Sequence, residues 1–381
     1  MNALRRVWAR ARPIVAVPLG AVILALVVGG IVALVSSVFT EQGFDPLIPL
    51  KVYAGLFGGA FVGLDHITNT LVDATPLIVG GLAVGLGFKA GLFNIGGAGQ
   101  FYLGAVAAAG IGPMLADASP LIAIPIAIIV AALAGALWGF IPGALKAWTG
   151  AHEVVTTIML NFIGASVLSY LVLYFFKAEG YSYARTGELG NAALPTLGFL
   201  HPDLARLNLG VLIAVLFVPA LWWLLFRSTI GFEIRTVGVN PDAARYAGMR
   251  PGFLVILTMS LSGLLFGLAA ALDILGAQHY IAASFGTSVG FDSIAVALLG
   301  RSHPVGILIS ALLFGALRAG AGPMQLDAHI PVELVDVIQA VILLFLAADL
   351  IVRRLLRIRR AKPAIEPVEA ATETYSNPAA V

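Results

Sequence analysis

Residues 89–105 read KAGLFNIGGAGQFYLGA, directly after an apolar run, PLIVGGLAVGLGF, at 76–88. A lysine, an asparagine, a glutamine and repeated glycines thus separate two apolar segments. Backbone that breaks inside a bilayer is tolerated only where protein or a wet cavity covers its polar groups. Transporters use such breaks to build midplane sites from freed peptide groups and nearby amides. Two readings of the stretch stand. One is a tight turn between spans, with Gly81/Gly85 and Gly87/Gly91 at the four-residue spacing that lets helices approach closely. The other is an interrupted membrane helix. In it Asn94 and Gln100, able to donate and accept, join the flat faces of Phe93, Phe101 and Tyr102 along the path of a neutral polar cargo such as a sugar or a nucleobase.

The rest of the chain sets the solvent. Of 381 residues, 60% are hydrophobic and 11% charged, against about 25% charged in a soluble domain; mean hydropathy is +0.98. The expectation is an all-α polytopic membrane protein of about ten transmembrane segments with broken or re-entrant helices. The candidate spans are 13–39, 71–88, 99–115, 121–141, 154–176, 209–226, 253–275, 283–299, 305–319 and 331–351. With that number both termini share a side, and the positive-inside rule makes it the cytoplasm. Arginines then cluster inside at 5–12, 227–250 and 353–360, while the outer segments hold only Lys51, Lys177, Arg185, Arg206 and Arg318. The chain divides into a cytoplasmic N-terminus (1–12), a transmembrane domain (13–352) and a basic segment with a disordered tail (353–381). The transmembrane domain carries an outer loop (177–208) and an inner loop (227–252). The first apolar run is too long for a secretory signal core and reads as a retained anchor. Cysteine is absent, which excludes disulfides, thiolate metal sites and a cysteine nucleophile. A faint echo links GGLAVGLGFKAGLFNIG (80–96) with SGLLFGLAAALDILG (262–276), each preceding a polar break.

The inner loop reads GFEIRTVGVNPDAARYAGMRPG at 231–252. Asn240 is a favoured N-cap, Pro241 suits the first helical position and Asp242 complements the helix dipole. Gly248 suits the left-handed closing position, and Pro251 prevents continuation. The pattern predicts a short self-terminated helix standing alone in the cytoplasm. It is either a plain connector or, because two turns are marginal alone, a piece shaped to dock into a partner.

GLFNIGGAGQ (91–100), taken with this G-x-x-x-R-x-V-G-x-N-P-x-A-A-R-Y-A-G loop, resembles the permease subunits of bacterial ABC importers. The branch is that of ribose, simple-sugar and branched-chain amino acid permeases, and within it the likeness is to nucleoside and simple-sugar permeases. GFDSIAVALLGRSHPVG (290–306) and ELVDVIQAVILLF (333–345) share it, so that it spans about 76–345. The resemblance implies a multi-pass chain of the bacterial plasma (inner) membrane, embedded in lipid, with no nucleic-acid partner. It further implies that the short helix couples to a separate ABC ATPase subunit through Arg235, Gly238, Asn240, Pro241, Ala244, Arg245, Tyr246 and Gly248. A substrate-binding lipoprotein would deliver cargo outside, and a second permease subunit, a paralogue or a copy of itself, would complete the pore. The chain has no G-x-x-x-x-G-K-[ST] loop, so ATP would be bound on the partner, with no cofactor here and no enzymatic activity. The alternatives are a branched-chain amino acid or other ABC permease, or an ion-driven secondary transporter.

Other polar residues interrupt apolar surroundings. Ionisable groups cost about 2.5–3.5 kcal/mol each at a membrane helix centre, so they usually face a cavity or a partner. Asp273, Gln278, Phe291 and Asp292 fall in a second polar region, LDILGAQHYIAASFGTSVGFDSIAVALLG, from residue 272. Asp292 either lines a cavity or caps the segment that follows it. Asn161, mid-span, is either a path residue or an interhelical hydrogen bond. Asp336 and Asp349 lie near helix ends, and Arg318 reads as snorkelling outward. Two motif matches are decoys. GTSVG (286–290) lacks the strand–turn–helix setting of a nucleophile elbow, and HEVVT (152–156) has threonine where a zinc protease needs its second histidine. No catalytic or metal-binding residue is assigned.

Overall fold

The structure, a computed structural model, describes residues 2–39 and 44–348, with side chains from residue 16 onward. The predicted tail, Asp349 and the end of the last candidate span lie outside the described residues. The fold is almost entirely helical: among the described residues only two isolated bridges, Arg185–Ala282 and Thr196–Asn208, pair extended backbone. In chain order the helices are α1 (Asn2–Ser37), α2 (Ile48–Phe61), α3 (Leu64–Lys89), α4 (Gly97–Ile111), α5 (Pro120–Thr149), α6 (Glu153–Tyr174) and α7 (Leu209–Arg227). They continue with α8 (Thr229–Val239), α9 (Pro241–Tyr246), α10 (Pro251–Asp273), α11 (Val289–Leu299), α12 (Pro304–Ala328) and α13 (Glu333–Ala347).

Among the described residues, eight helical segments are long and apolar enough to cross a membrane. The candidate span at 283–299 is reduced to α11, whose 11 residues rise about 16 Å against a hydrocarbon core of about 30 Å. Residues 283–288 carry no helix. Conversely, the span expected from residue 71 begins at Leu64, and α2 is an element the sequence reading passed over. At 14 residues α2 is too short to register as a span; it forms because glycines let it press onto α12, where Leu56 O lies 2.0 Å from a Cβ built on Gly320.

Two triplets of helices exchange partners around the centre. α3 and α10 run antiparallel and cross where Ser262 Oγ donates to Ala83 O at 2.9 Å. After α3 come a break, α4 and α5; after α10 come a break, α11 and α12. α4 and α5 pack on α10, while α11 and α12 pack on α3. This inverted arrangement is the geometric counterpart of the echo between 80–96 and 262–276. The α5–α10 seam is a backbone contact: a Cβ on Gly135 would fall 2.3 Å from Gly263 O. Without a hydrophobic drive between helices in lipid, such close packing supplies the association energy. At the centre the starts of α4 and α11 abut, with a Cβ on Gly290 falling 2.3 Å from the Ala98 amide nitrogen.

Candidate functional site

The two breaks have opposite internal chemistry. At the first, α3 ends at Lys89, Gly91 takes a left-handed φ of +70°, and Leu92 N donates to Gly87 O at 3.0 Å. Asn94 is buried. Its Oδ1 accepts from Gly96 N (2.9 Å), and its Nδ2 donates to Gln100 Oε1 (3.0 Å) and Ser262 Oγ (2.9 Å). Asn161, on α6, accepts from Gly99 N at 2.7 Å and donates from Nδ2 to Ile95 O at 2.9 Å. Asn94, Gln100 and Asn161 therefore satisfy one another's surroundings and the freed backbone, as buried polar groups must. Phe93 points elsewhere, 39% exposed, with its ring 5.1 Å from that of Phe88. Phe101 is fully buried.

At the second break, α10 runs past Asp273 into a π turn, Ile274–Gln278, a deformation frequent at functional sites. The outer loop straps this turn from outside. Leu194 N donates to Leu275 O (2.7 Å), Asn208 Nδ2 to Gly276 O (2.9 Å) and Thr186 N to Ile281 O (2.9 Å). The Arg185 guanidinium lies between the rings of Tyr181 and Tyr280, 4.0 and 3.8 Å from their centroids. Beside this turn is a cavity of about 260 Å³, whose polar wall includes Asp73, Asp273, Gln278, Ser288 and Arg318, with Phe285 as an aromatic wall. Phe101 and Tyr102 back that wall, stacked on and edge-on to Phe285 at 6.5 and 6.3 Å. Asp292 sits in the first turn of α11. It accepts from Ser288 Oγ at 2.8 Å and pairs with Arg318. Arg318 thus turns inward, correcting the reading that it snorkels outward: α12 folds back along α11 and brings the guanidinium to a carboxylate within the protein. Phe291 is 53% exposed and does not line the cavity.

On the other face, the loop at 227–252 holds two helices, so the predicted short helix does not stand alone. α8 buries Ile234 and Val237, and its end locks to the first break: a Cβ on Gly238 would fall 2.2 Å from Lys89 O. The Arg235 guanidinium lies 5.2 Å from the centroid of the Phe226 ring. Asn240 Oδ1 accepts from Asp242 N and Ala243 N at 3.0 Å each, which starts α9 on Pro241. Ala244 is buried, Arg245 pairs with Asp242 at 3.7 Å, and Gly248 takes φ +84°. Val239 and Tyr246 stand out at 88% and 93% exposure.

The family of branched-chain amino acid transport system / permease components matches residues 66–347, which contain both breaks, the cavity and the α8–α9 corner. The chain belongs to this family. It is a multi-pass inner-membrane permease. The permease is 39% identical over 340 residues, 88% of its length and 94% of the relative's, to the guanosine ABC transporter permease protein NupP of Bacillus subtilis (strain 168). It is 35% identical over 358 residues to the nucleoside ABC transporter permease protein NupB of Lactococcus lactis subsp. cremoris (strain MG1363), covering 92% and 96%. It is 33% identical over 337 residues to the glucose ABC transporter permease protein TsgB13 of Haloferax volcanii, covering 86% of each chain. No solved structure matches it.

Of the residues singled out in the sequence, the permease gathers Asp273 and Gln278 at the cavity, with Asp292 one hydrogen bond behind its wall. It pairs Asn94 with Gln100 and ties Asn161 to the backbone of the same break, at Gly99 and Ile95. Asp73, Phe285 and the inward Arg318 were missed as site residues. Asp73 carried a visible signal, a carboxylate inside the apolar run TLVDATPLIV.

Proposed function

We propose that this permease is the membrane-spanning subunit of an ATP-driven ABC importer for nucleosides, with the cavity at the second break on the substrate path. The observation that carries the reading is that cavity: polar groups and an aromatic wall converge where α3, α10 and α12 meet, in a chain whose relatives are named for guanosine and nucleosides. Cargo of that kind is neutral, aromatic on its faces and polar at its edges. In this reading both termini are cytoplasmic, and α13 and the half-span α11 bring the eight membrane-length segments to about ten crossings.

The partners follow from the same reading. A separate ABC ATPase seats α9 in a groove, with Asn240 and Pro241 fixing its start and Tyr246 and Val239 entering the contact. Nucleotide-driven movement of α9 passes through α8 to the Gly238–Gly91 contact and so to the first break. A substrate-binding lipoprotein delivers cargo over the outer strap, and a second permease subunit closes the path. Each cargo state must favour a different conformation by differential free energy, or no cycle results.

The test is uptake of labelled guanosine by vesicles holding the assembled complex and lipoprotein. Uptake is expected to require ATP and the ATPase subunit. Uptake driven by an ion gradient without the ATPase would overturn the reading. Replacing Asn240–Pro241 by Ala-Gly is expected to leave ATP hydrolysis running while uptake falls; normal uptake would remove α9 from its role.

A further inference from the structure

Asp73 on α3 and Asp273 at the end of α10 reach the same cavity from helices that cross antiparallel. Among the described residues, neither carboxylate accepts a hydrogen bond or forms an ion pair. The cavity's one lining cation, Arg318, already holds Asp292 and Ser288 through Nη2. Each carboxyl keeps acceptor capacity whether ionised or carrying a proton, so two of them facing one space favour a ligand that presents adjacent donors. Phe285, backed by Phe101 and Tyr102, offers a flat face on which a ring can lie while its edge meets the carboxylates. Arg318, with five N–H donors, has donors remaining for one acceptor of the ligand.

We propose that Asp73 and Asp273 are the specificity-determining pair of this permease, reading a neutral cargo through adjacent hydrogen-bond donors. The group that best fits beside the aromatic wall is the edge of a guanine-type purine, with its N1–H and 2-amino donors flanked by a carbonyl that Arg318 can meet. This rests on the nucleoside reading above and sharpens it. Adenine presents a ring acceptor where guanine presents N1–H, so the pair discriminates between the two purines. Neither aspartate is the sole anchor; each accepts from a donor that the other orients.

The experiment compares guanosine and adenosine uptake by complexes carrying Asp73→Asn or Asp273→Asn with the wild-type complex, using one and the same lipoprotein so that its own preference cancels. An amide offers a donor and an acceptor in place of two acceptors. The guanosine-to-adenosine uptake ratio is therefore expected to fall by about tenfold or more in each variant. Assembled variants that keep the wild-type ratio overturn the proposal. A structural role alone would lower both rates and leave the ratio fixed. A second measurement covers variants that do not assemble: guanosine and inosine are titrated onto the wild-type complex without lipoprotein. Inosine, which lacks the 2-amino group, is expected to bind about tenfold more weakly; equal affinities for inosine, guanosine and 2′,3′-dideoxyguanosine overturn the proposal. Weakening confined to the dideoxy analogue would also overturn it, because adenosine carries the same ribose diol and the pair would then not tell the two purines apart. A wild-type complex that takes up no nucleoside defeats the functional reading instead, so the two failures are distinguishable.

Discussion

The two breaks occupy equivalent places in the two helix triplets, yet one is closed on itself and the other is open. At the first, every amide that interrupts the apolar run is spent on neighbouring backbone and side chains: Asn94 on Gly96, Gln100 and Ser262, Asn161 on Gly99 and Ile95. At the second, carboxylates line a cavity and accept nothing from the described protein. Each is braced from its own side, the first by Gly238 at the end of α8, the second by Leu194, Asn208 and Thr186 of the outer strap. A polar residue in a greasy segment is thus an ambiguous sign. What separates a structural joint from a recognition surface is whether its hydrogen-bonding capacity is already filled.

The open break depends most heavily on Arg318. Replacing it by leucine leaves the partly buried Asp292 with only Ser288 as a partner, a loss that approaches the roughly 3–5 kcal/mol of a broken buried pair only as far as water is kept out. Arg318→Leu is expected to abolish assembly, measured as recovery of the complex after membrane extraction. Arg318→Met combined with Asp292→Leu is expected to restore it, because the charge is removed along with its partner. If the single variant assembled normally, the ion pair would not be what holds α12 to α11 at the cavity.

The first break predicts a smaller effect of a different kind. Asn94→Ala deprives Gly96 N, Gln100 and Ser262 of a partner, and each buried unsatisfied group costs about 1–3 kcal/mol. The variant is expected to lower the thermal unfolding midpoint of the purified permease while leaving the guanosine-to-adenosine preference of residual uptake unchanged. A changed preference with an unchanged midpoint would mean that Asn94 faces cargo, and the two breaks would then share one function. Truncating the α9 cap, Asn240→Ala, removes two hydrogen bonds at an exposed helix start. It is expected to destabilise that helix by about 0.5–2 kcal/mol, read as faster amide exchange at residues 241–247 with no change at the cavity.

How much of this was visible in the sequence follows from the range of each interaction. The α9 cap was legible because Asn240, Pro241, Asp242 and Gly248 act within one short window. The positions of both breaks were legible because glycine and amides stand out against apolar runs. The filling of the first break was not, since Asn94 finds Ser262 168 residues away and Gly99 finds Asn161 62 residues away. Arg318 was misread for the same reason: near a helix end it looks solvated until α12 folds back onto α11. α2 escaped a reading tuned to membrane-length runs, because it is held by contact with α12 instead of by length. Asp73 was legible in principle, as a carboxylate inside an apolar run, but its cavity forms only when α10 and α12 are brought against α3.

The mildest test sets one aromatic residue of each break against the other. Phe93 is 39% exposed and touches Phe88, and such a ring pair is worth about 0.5–1.5 kcal/mol beyond area burial. Phe93→Ala is expected to shift stability by no more than about that amount and to leave cargo preference untouched. Phe285 lines the cavity and is stacked against Phe101, so Phe285→Ala is expected to weaken uptake of purine nucleosides more than that of a free sugar, which has no flat face to offer. Should Phe93→Ala alter cargo preference as strongly as Phe285→Ala, the first break would reach the path despite its satisfied amides. Filled hydrogen bonds would then no longer mark the boundary between joint and site.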